Sequence, residues 1–393
     1  MEEDRMPISL GNTGRPVKAL LEAHKNTYTD PGTAQRAVAE DVTKWLASGE
    51  LAPEKLSVKE AFEALVLESN PHIDIAMSSV QDIREAMMSS SFPVITQELI
   101  NGTFMREYEL ATADVRRLVT ERTSNRPVET YAGTTPGERG SYTEEGAPYS
   151  EISIGEKYIT IPNFKFGKGV SMTREMVIFD QTGMLVQRAK QNGQFLGNQL
   201  ASFICYRLTD TSWSEVDLSG TSQALVINGT RRAMYAADHS SWDGYANDNL
   251  VSAALPSISV VKGMRQHALG MKDEKGESIV TSLPYAFAHD LMGDDLEQFF
   301  VGQEYDTNSA ERNVNIYRNK IGIVTSPFFP STTEWFMGNP AQQTVLQWVW
   351  QPRTVTDDLG DPQRDIIGSW WSSMMLGIGS EDYRFVIKNP YAG

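Results

Sequence analysis

Glu156-Lys157-Tyr158-Ile159-Thr160-Ile161-Pro162-Asn163-Phe164-Lys165-Phe166-Gly167-Lys168-Gly169-Val170-Ser171-Met172-Thr173-Arg174-Glu175 is the stretch from which the fold is decided. On either side of Pro162-Asn163, β-branched and aromatic residues predict two strands, Tyr158–Ile161 and Phe164–Val170, broken at a turn. Beyond it the period changes. Leu185, Ala189, Gly193, Leu196, Leu200, Phe203 or Ile204, and Leu208 recur every three or four residues, with polar side chains on most remaining positions. That spacing predicts one amphipathic helix from an Asp180 N-cap to Leu208, with Leu185, Leu196, Leu200 and Phe203 in the core. At about 1.5 Å per residue it is roughly 40 Å long. Gly183, Gly193 and Gly197 lower its intrinsic stability, so tertiary packing has to hold it.

Upstream of these strands, Tyr131 to Glu156 carries Gly133, Pro136, Gly137, Gly140, Gly146, Pro148 and Gly155 with charged residues between them, and no helical period survives. So long an irregular stretch inside a compact chain marks a functional loop or a linker, and Tyr131, Tyr142 and Tyr149 argue against a linker. Earlier still, helices are expected at Thr33–Leu46, with Pro31 before it and Gly49 as its stop, and around Val58 to Val66, Ile83 to Met88 and Val94 to Met105. A helical hairpin packed on its own body is the preferred reading of residues 1–75. Downstream, helices are expected over Pro256–Leu269 and Asp290–Phe300, and strands over Ser278–Phe287, Gly322–Phe329, Thr344–Trp350 and Asp382–Asn389. The fold class expected is α+β.

Composition narrows the function. The chain has 393 residues, 40% of them hydrophobic, and no apolar run long enough to span a bilayer, so a globular protein with no membrane partner is expected. The N-terminus, Met1-Glu2-Glu3-Asp4-Arg5, lacks the basic patch and apolar segment of a secretory signal, so the chain is expected to stay in the cytoplasm where it is made. A net charge of −16 argues against wrapping nucleic acid. Cys205 is the only cysteine, so no internal disulfide or cysteine-based metal cluster is expected.

Catalytic patterns are weak. His24, His72, His239, His267 and His289 are scattered without metal-ligand spacing. Ser259 and Lys262 match Ser-x-x-Lys, but the companion motifs of a serine–lysine hydrolase are absent and a solvated helix face explains them better. Gly133-Thr134-Thr135-Pro136-Gly137 lacks the Gly-Lys-Ser/Thr of a phosphate loop. No catalytic, cofactor or metal residue is assigned.

Two stretches carry a resemblance. Ser89-Ser90-Ser91-Phe92-Pro93-Val94-Ile95, followed by Leu99-Ile100 and Tyr108-Glu109, is similar to the segment leading from arm to core in one branch of the tailed-bacteriophage major capsid protein family, and Glu156 through Glu175 with Ile178-Phe179-Asp180 resembles its loop return. The resemblance runs over roughly residues 85–393. It implies an N-terminal extension or arm over 1–75, an arm-to-core connection over 76–130, an extended loop with return strands over 131–172, a spine helix with peripheral domain over 173–220, an axial domain over 221–333 and a peripheral return over 334–393. The loop would lie over a neighbouring subunit through Tyr131, Arg139, Tyr142, Glu144, Glu145, Tyr149 and Glu151. Lys157, Lys165 and Lys168 sit near the loop base, so no covalent crosslink is expected. The implied function is a non-enzymatic head protein of the virion that forms hexamers and pentamers with itself. It would meet a portal protein and scaffolding or decoration proteins, and enclose double-stranded DNA without sequence specificity. An encapsulin-like compartment is the alternative of the same fold.

Overall fold

The computed structural model describes residues 16–28, 30–134, 156–179, 183–209, 226–227, 230–231, 234–240, 246–273, 276–302, 315–357 and 364–392. The helices are α1 (Pro16–Thr27), α2 (Pro31–Ser48), α3 (Val58–Phe62), α4 (Val80–Met88), α5 (Phe92–Thr112), α6 (Arg174–Phe179), α7 (Met184–Thr209), α8 (Ile258–Gly270) and α9 (Asp290–Phe300). The strands begin with β1 (Thr120–Thr123), β2 (Val128–Thr134), β3 (Glu156–Pro162), β4 (Phe164–Thr173), β5 (Val226–Ile227), β6 (Thr230–Arg231), β7 (His239–Ser240) and β8 (Ala246–Asn247). They continue with β9 (Tyr285–Ala288), β10 (Gly322–Thr325), β11 (Trp335–Gly338), β12 (Thr344–Asp357), β13 (Ile366–Ser380) and β14 (Val386–Asn389). The chain divides into two compact units: unit 1 is 1–111, 165–198 and 351–374, and unit 2 is 112–164, 199–350 and 375–393. The α+β class expected from the sequence holds.

Unit 1 is built on helices whose ends are written locally. At the start of α2 the Asp30 carboxylate accepts a hydrogen bond from Thr33 N at 2.9 Å, and Gly49, with φ 76°, closes the other end in the left-handed region. Ser79 and Asp82 cap α4 reciprocally. The apolar faces meet in one cluster: Val17, Leu21, Val38, Val42, Phe62, Phe92 and Ile95 pack together with Val170, Met172, Ile367 and Trp370. Burying each such large side chain contributes about 1.5–3 kcal/mol. The described part of residues 1–75 is therefore part of the core of unit 1, packed on its own body.

Unit 2 contains a sheet in the order β10-β9-β11-β14, with β10 and β9 parallel and the other pairs antiparallel. Against it pack Val261, Met264 and Ala268 of α8 and Met292, Leu296 and Phe300 of α9. At Gly338 a Cβ would lie 2.3 Å from the Phe385 carbonyl oxygen, so close pairing with β14 requires glycine there. A second sheet of unit 2 runs β2-β3-β5-β6, and β1 pairs in parallel with the first half of β12, Thr120 opposite Val345.

Several expected boundaries are corrected. The long helix starts at Met184, not Asp180, because Gly183 adopts φ 64°; Asp180 itself lies outside the described residues. The helix expected at Val94–Met105 extends over Phe92–Thr112. Of Ser278–Phe287, only the end is strand: Pro284 removes a donor, and before it Ser278 makes a single bridge to Lys272. The strand from Gly322 ends at Thr325, ahead of Pro327, and the last strand begins at Val386. Strand β12 continues through Pro352 to Asp357; β1 pairs with it only as far as Trp348, so the missing N–H leaves no ladder partner of β1 unsatisfied. Strands β11 and β13 were not anticipated.

Candidate functional site

Tyr131, the first residue of the expected loop, is a strand residue. The two described ends of the segment pair, β2 antiparallel to β3 with Tyr131 opposite Ile159 and Thr134 opposite Glu156. The Tyr131 hydroxyl donates to Gln347 Oε1 at 2.8 Å, and the Arg122 guanidinium lies 5.1 Å from its ring centroid. Gln347, fully buried, donates through Nε2 to Ile161 O at 3.0 Å and Asn163 Oδ1 at 2.7 Å. Asn163 in turn donates to Ser124 Oγ at 3.1 Å and Arg126 O at 2.7 Å. Gly377 leaves room for this junction, since a Cβ there would fall 2.5 Å from the Pro162 carbonyl oxygen. Arg122 also pairs with Glu381 at 2.5 Å. Burial pushes the Tyr131 phenol above its ordinary value, against the opposing charge of Arg122. The root of the hairpin is thus fixed within its own unit to β12 and to the β1–β2 connection by a chain of polar contacts. Arg139, Tyr142, Glu144, Glu145, Tyr149 and Glu151 lie outside the described residues.

Along the long helix, Leu185, Leu196 and Leu200 are buried, whereas Phe203 is half-buried and Ile204 takes the fully buried position. Phe203 is corrected on that ground: the buried face of α7 at this turn is carried by Leu200, Ile204 and Cys205, and Phe203 falls at its edge. The glycines of α7 also find their reason. A Cβ at Gly193 would lie 2.4 Å from Phe104 O, and one at Gly197 2.7 Å from Ala111 Cβ, so both are places where α7 approaches α5 within unit 1. Beside them, Glu107 accepts from Gln194 Nε2 at 2.7 Å and pairs with Lys190 at 3.1 Å. Burial pushes the Glu107 carboxyl up, but the bonds from Lys190 and Gln194 outweigh it and hold it below the ordinary value.

The residues examined for catalysis have structural duties. Ser259 Oγ lies 3.1 Å from Ser257 Oγ, and the Ser257 side chain caps α8 by accepting from Val260 N; Lys262 is exposed. His289 caps α9 by accepting from Leu291 N, with Asp290 the first helical residue. Cys205 is fully buried, and burial pushes its thiol up to about 12, which keeps it a poor nucleophile at neutral pH. Among the described residues no group of His, Cys, Asp and Glu is placed to hold a metal ion, and no helix is long and apolar enough to cross a membrane.

What unit 2 does present is apolar surface: Val280 is 94%, Leu291 70% and Leu269 65% exposed. Sequence reasoning missed these three: Leu269 and Leu291 sit on helices whose other side is core, and Val280 lies in a stretch read as buried strand that the structure shows as irregular.

Residues 160–389, well over half of the chain, match the family model described as phage capsid protein. Among solved structures the chain is similar to the capsid of a native GTA particle, at 10% identity over 72% of this chain and 90% of that one, with a TM-score of 0.47. It is similar to the capsid of cyanophage P-SCSP1u, at 14% identity over 71% of this chain and 88% of that one, TM-score 0.47. A third likeness is to the capsid asymmetric unit of cyanophage Pam1, at 11% identity over 69% and 87%, TM-score 0.45. No curated protein matches it in sequence.

Proposed function

We propose, from the premise that this chain belongs to the phage capsid protein family, that it is the major head subunit of a tailed phage, assembling in the host cytoplasm into a closed icosahedral shell around double-stranded DNA. The match over residues 160–389 carries the reading, and it takes in most of the Glu156–Asp180 stretch on which the sequence resemblance partly rests, together with the long helix after it. Closed shells need many copies of one contact, each weak enough to be corrected during assembly and sufficient when repeated. In this reading the hairpin rooted by Tyr131 reaches a neighbouring subunit through Arg139, Tyr142, Glu144, Glu145, Tyr149 and Glu151. Residues 221–333 act as the axial domain, and 173–220 with 334–393 as the peripheral domain. The copies form hexamers and pentamers, a portal protein occupies one vertex, and scaffolding or decoration proteins complete the particle. The net charge of −16 supports enclosure of DNA without sequence-specific grip.

The test is electron microscopy and sedimentation of the purified chain and of a variant shortened from Gly137 to Gly146. Closed shells are expected from the parent. The variant should keep the parent's circular dichroism and lose shells. Normal, stable shells from the variant would refute the loop's role, and a parent that stays a monomer would refute the shell. Protein cargo in place of nucleic acid within shells from infected cells would favour the encapsulin-like alternative.

A further inference from the structure

Unit 2 carries a groove of about 300 Å³ lined, among the described residues, by Leu269, Leu283, Tyr317 and Ile321 and by the cations Arg265 and Lys320, with no carboxylate among them. On a chain of net charge −16 this is a local electropositive spot with an apolar floor. The Arg265 guanidinium is held 5.8 Å from the Tyr317 ring centroid. Thr281, also in the lining, is only 8% exposed, yet its hydroxyl has no hydrogen-bond partner. Buried polar groups are almost always paired, so the hydroxyl marks a place where a polar atom from outside belongs. The occupant wanted is apolar at its centre and acidic at its edges.

The same unit displays such a shape at the far end of the same two strands. Strands β9 and β10 run parallel, and the groove is lined by Leu283 and Ile321, just ahead of their first residues, Tyr285 and Gly322. At their other end α9 begins: Gly293 packs against Thr325, the last residue of β10, where a Cβ would come within 2.9 Å of Thr325 Cγ2. There Leu291 is 70% exposed, with Asp290 and Asp294 exposed beside it. Asp290 and Asp294 are one helical turn apart, and Leu291 is three residues from Asp294, so the three share one side of the helix.

We propose that copies of this chain dock head to tail through unit 2, with Leu291, Asp290 and Asp294 of one copy seated in the Arg265–Lys320 groove of the next. Leu291 meets Leu269 and Ile321, and the carboxylates meet the two cations and the Thr281 hydroxyl. Because knob and groove occupy opposite ends of the strands, each copy uses both at once, and the contact is heterologous and can close into a ring. Charge complementarity sets its direction, since the reverse pairings would oppose like charges. The inference rests on the shell reading and names two surfaces that build it.

The experiment uses the full chain with Leu269→Cys and Leu291→Cys together, under mild oxidation. Cys205 is buried and stays silent. A ladder of covalent multimers is expected from the double variant and none from either single one. A charge reversal, Arg265→Glu with Lys320→Glu, should lower the assembled fraction at least tenfold, and adding Asp290→Lys and Asp294→Lys should restore it. Thr281→Val should raise the thermal midpoint of dissociated subunits while weakening assembly, a split that a purely internal role would not give. Wild-type shells with no ladder from the double-cysteine variant would overturn the docking and leave the shell reading standing. A small anion or another protein filling the groove in assembled shells would overturn it too. A wild-type chain that forms no shells would overturn the shell reading and this docking with it.

Discussion

In unit 1 the largest cluster is a run of Val, Leu, Ile, Phe and Trp side chains from helices, joined by Val170, Met172, Ile367 and Trp370 from strands. In unit 2 a fully buried asparagine ties four residues of two other segments together. Asn249 Oδ1 accepts from Ala236 N at 2.9 Å and lies 3.1 Å from His239 Nε2, while Nδ2 donates to Met234 O at 2.8 Å and Tyr383 O at 3.1 Å. His239 also stacks on Tyr383 at 3.9 Å between centroids, and Asn247 donates to Lys272 O and the Tyr383 hydroxyl. Nearby in sequence, Asp382 and Arg384 form a buried pair at 2.5 Å. An apolar cluster asks only for volume and pattern, and tolerates swaps that conserve both. A hydrogen-bonded hub specifies atoms, and one wrong atom leaves several partners unsatisfied.

The sharpest break of that contrast is Asn249→Asp. The shape is unchanged, but a carboxylate oxygen replaces the donor that faces two carbonyl oxygens. The expected loss is roughly 3–5 kcal/mol, the cost of an uncompensated buried charge. Leu21→Met in unit 1, which conserves volume, should cost less than about 1.5 kcal/mol. Urea unfolding of both variants checks the pair; equal losses would mean that the two cores do not differ in kind.

The same contrast explains what could be read from sequence. Helix α2 is announced by Pro31 and Gly49, and α8 by the spacing of Ile258, Val261, Met264 and Ala268, because stops and periods are local. Strand β13 gave no such signal: Gly368, Ser369, Ser372, Ser373 and Gly377 dilute its β-propensity, and most of its positions are buried on both faces, which erases alternation. Strand β11 is four residues, all buried, between β9 and β14. At the candidate site, Tyr131 was found from its place in the glycine-rich stretch. Its partners Arg122, Gln347 and Glu381 were not, because they come from strands and turns up to hundreds of residues away, and no period links them.

A next perturbation, Gly193→Ala, tests whether unit 1 is as tolerant as its composition suggests. The added Cβ would meet the Phe104 carbonyl, which belongs to a helix backbone and cannot turn aside. A loss of about 3 kcal/mol is expected, at the upper end of overpacking costs, whereas Gly263→Ala, in a helix interior where a Cβ meets nothing, should gain roughly 0.5–1 kcal/mol. Thermal midpoints of Gly193→Ala and Gly263→Ala decide it.

Acid should separate the units less strongly. Glu107 is held below its ordinary value of 4.5 in the folded chain, so the folded state binds its proton less readily than the unfolded one. Its contribution is complete above that ordinary value and is lost as pH falls through the lower folded value. Glu107→Gln should cost about 1.5 kcal/mol at neutral pH, the low end for hydrogen bonds to a charged group, because Lys190 is half exposed. The difference between wild type and variant should shrink as pH falls below that ordinary value; a constant difference would show that charge is not what Glu107 supplies.

The smallest expected effect is at Tyr131, and it bears most directly on the loop. Tyr131→Phe keeps the ring and its position beside Arg122, and removes only the hydroxyl that donates to Gln347. Gln347 stays anchored through its two Nε2 bonds, so the loss is one neutral hydrogen bond, about 1 kcal/mol. Arg122→Ala removes a partly exposed pair with Glu381 and should cost still less, between about 0 and 1 kcal/mol. Because Tyr131 is committed to its own sheet, both changes should lower subunit stability slightly and leave assembly intact, in contrast to the loop deletion. Sedimentation together with unfolding of Tyr131→Phe makes the distinction. If stability were unchanged and shells were lost, the hydroxyl would be serving a neighbouring subunit, and the hairpin would contact that neighbour from its root instead of only through residues nearer its tip.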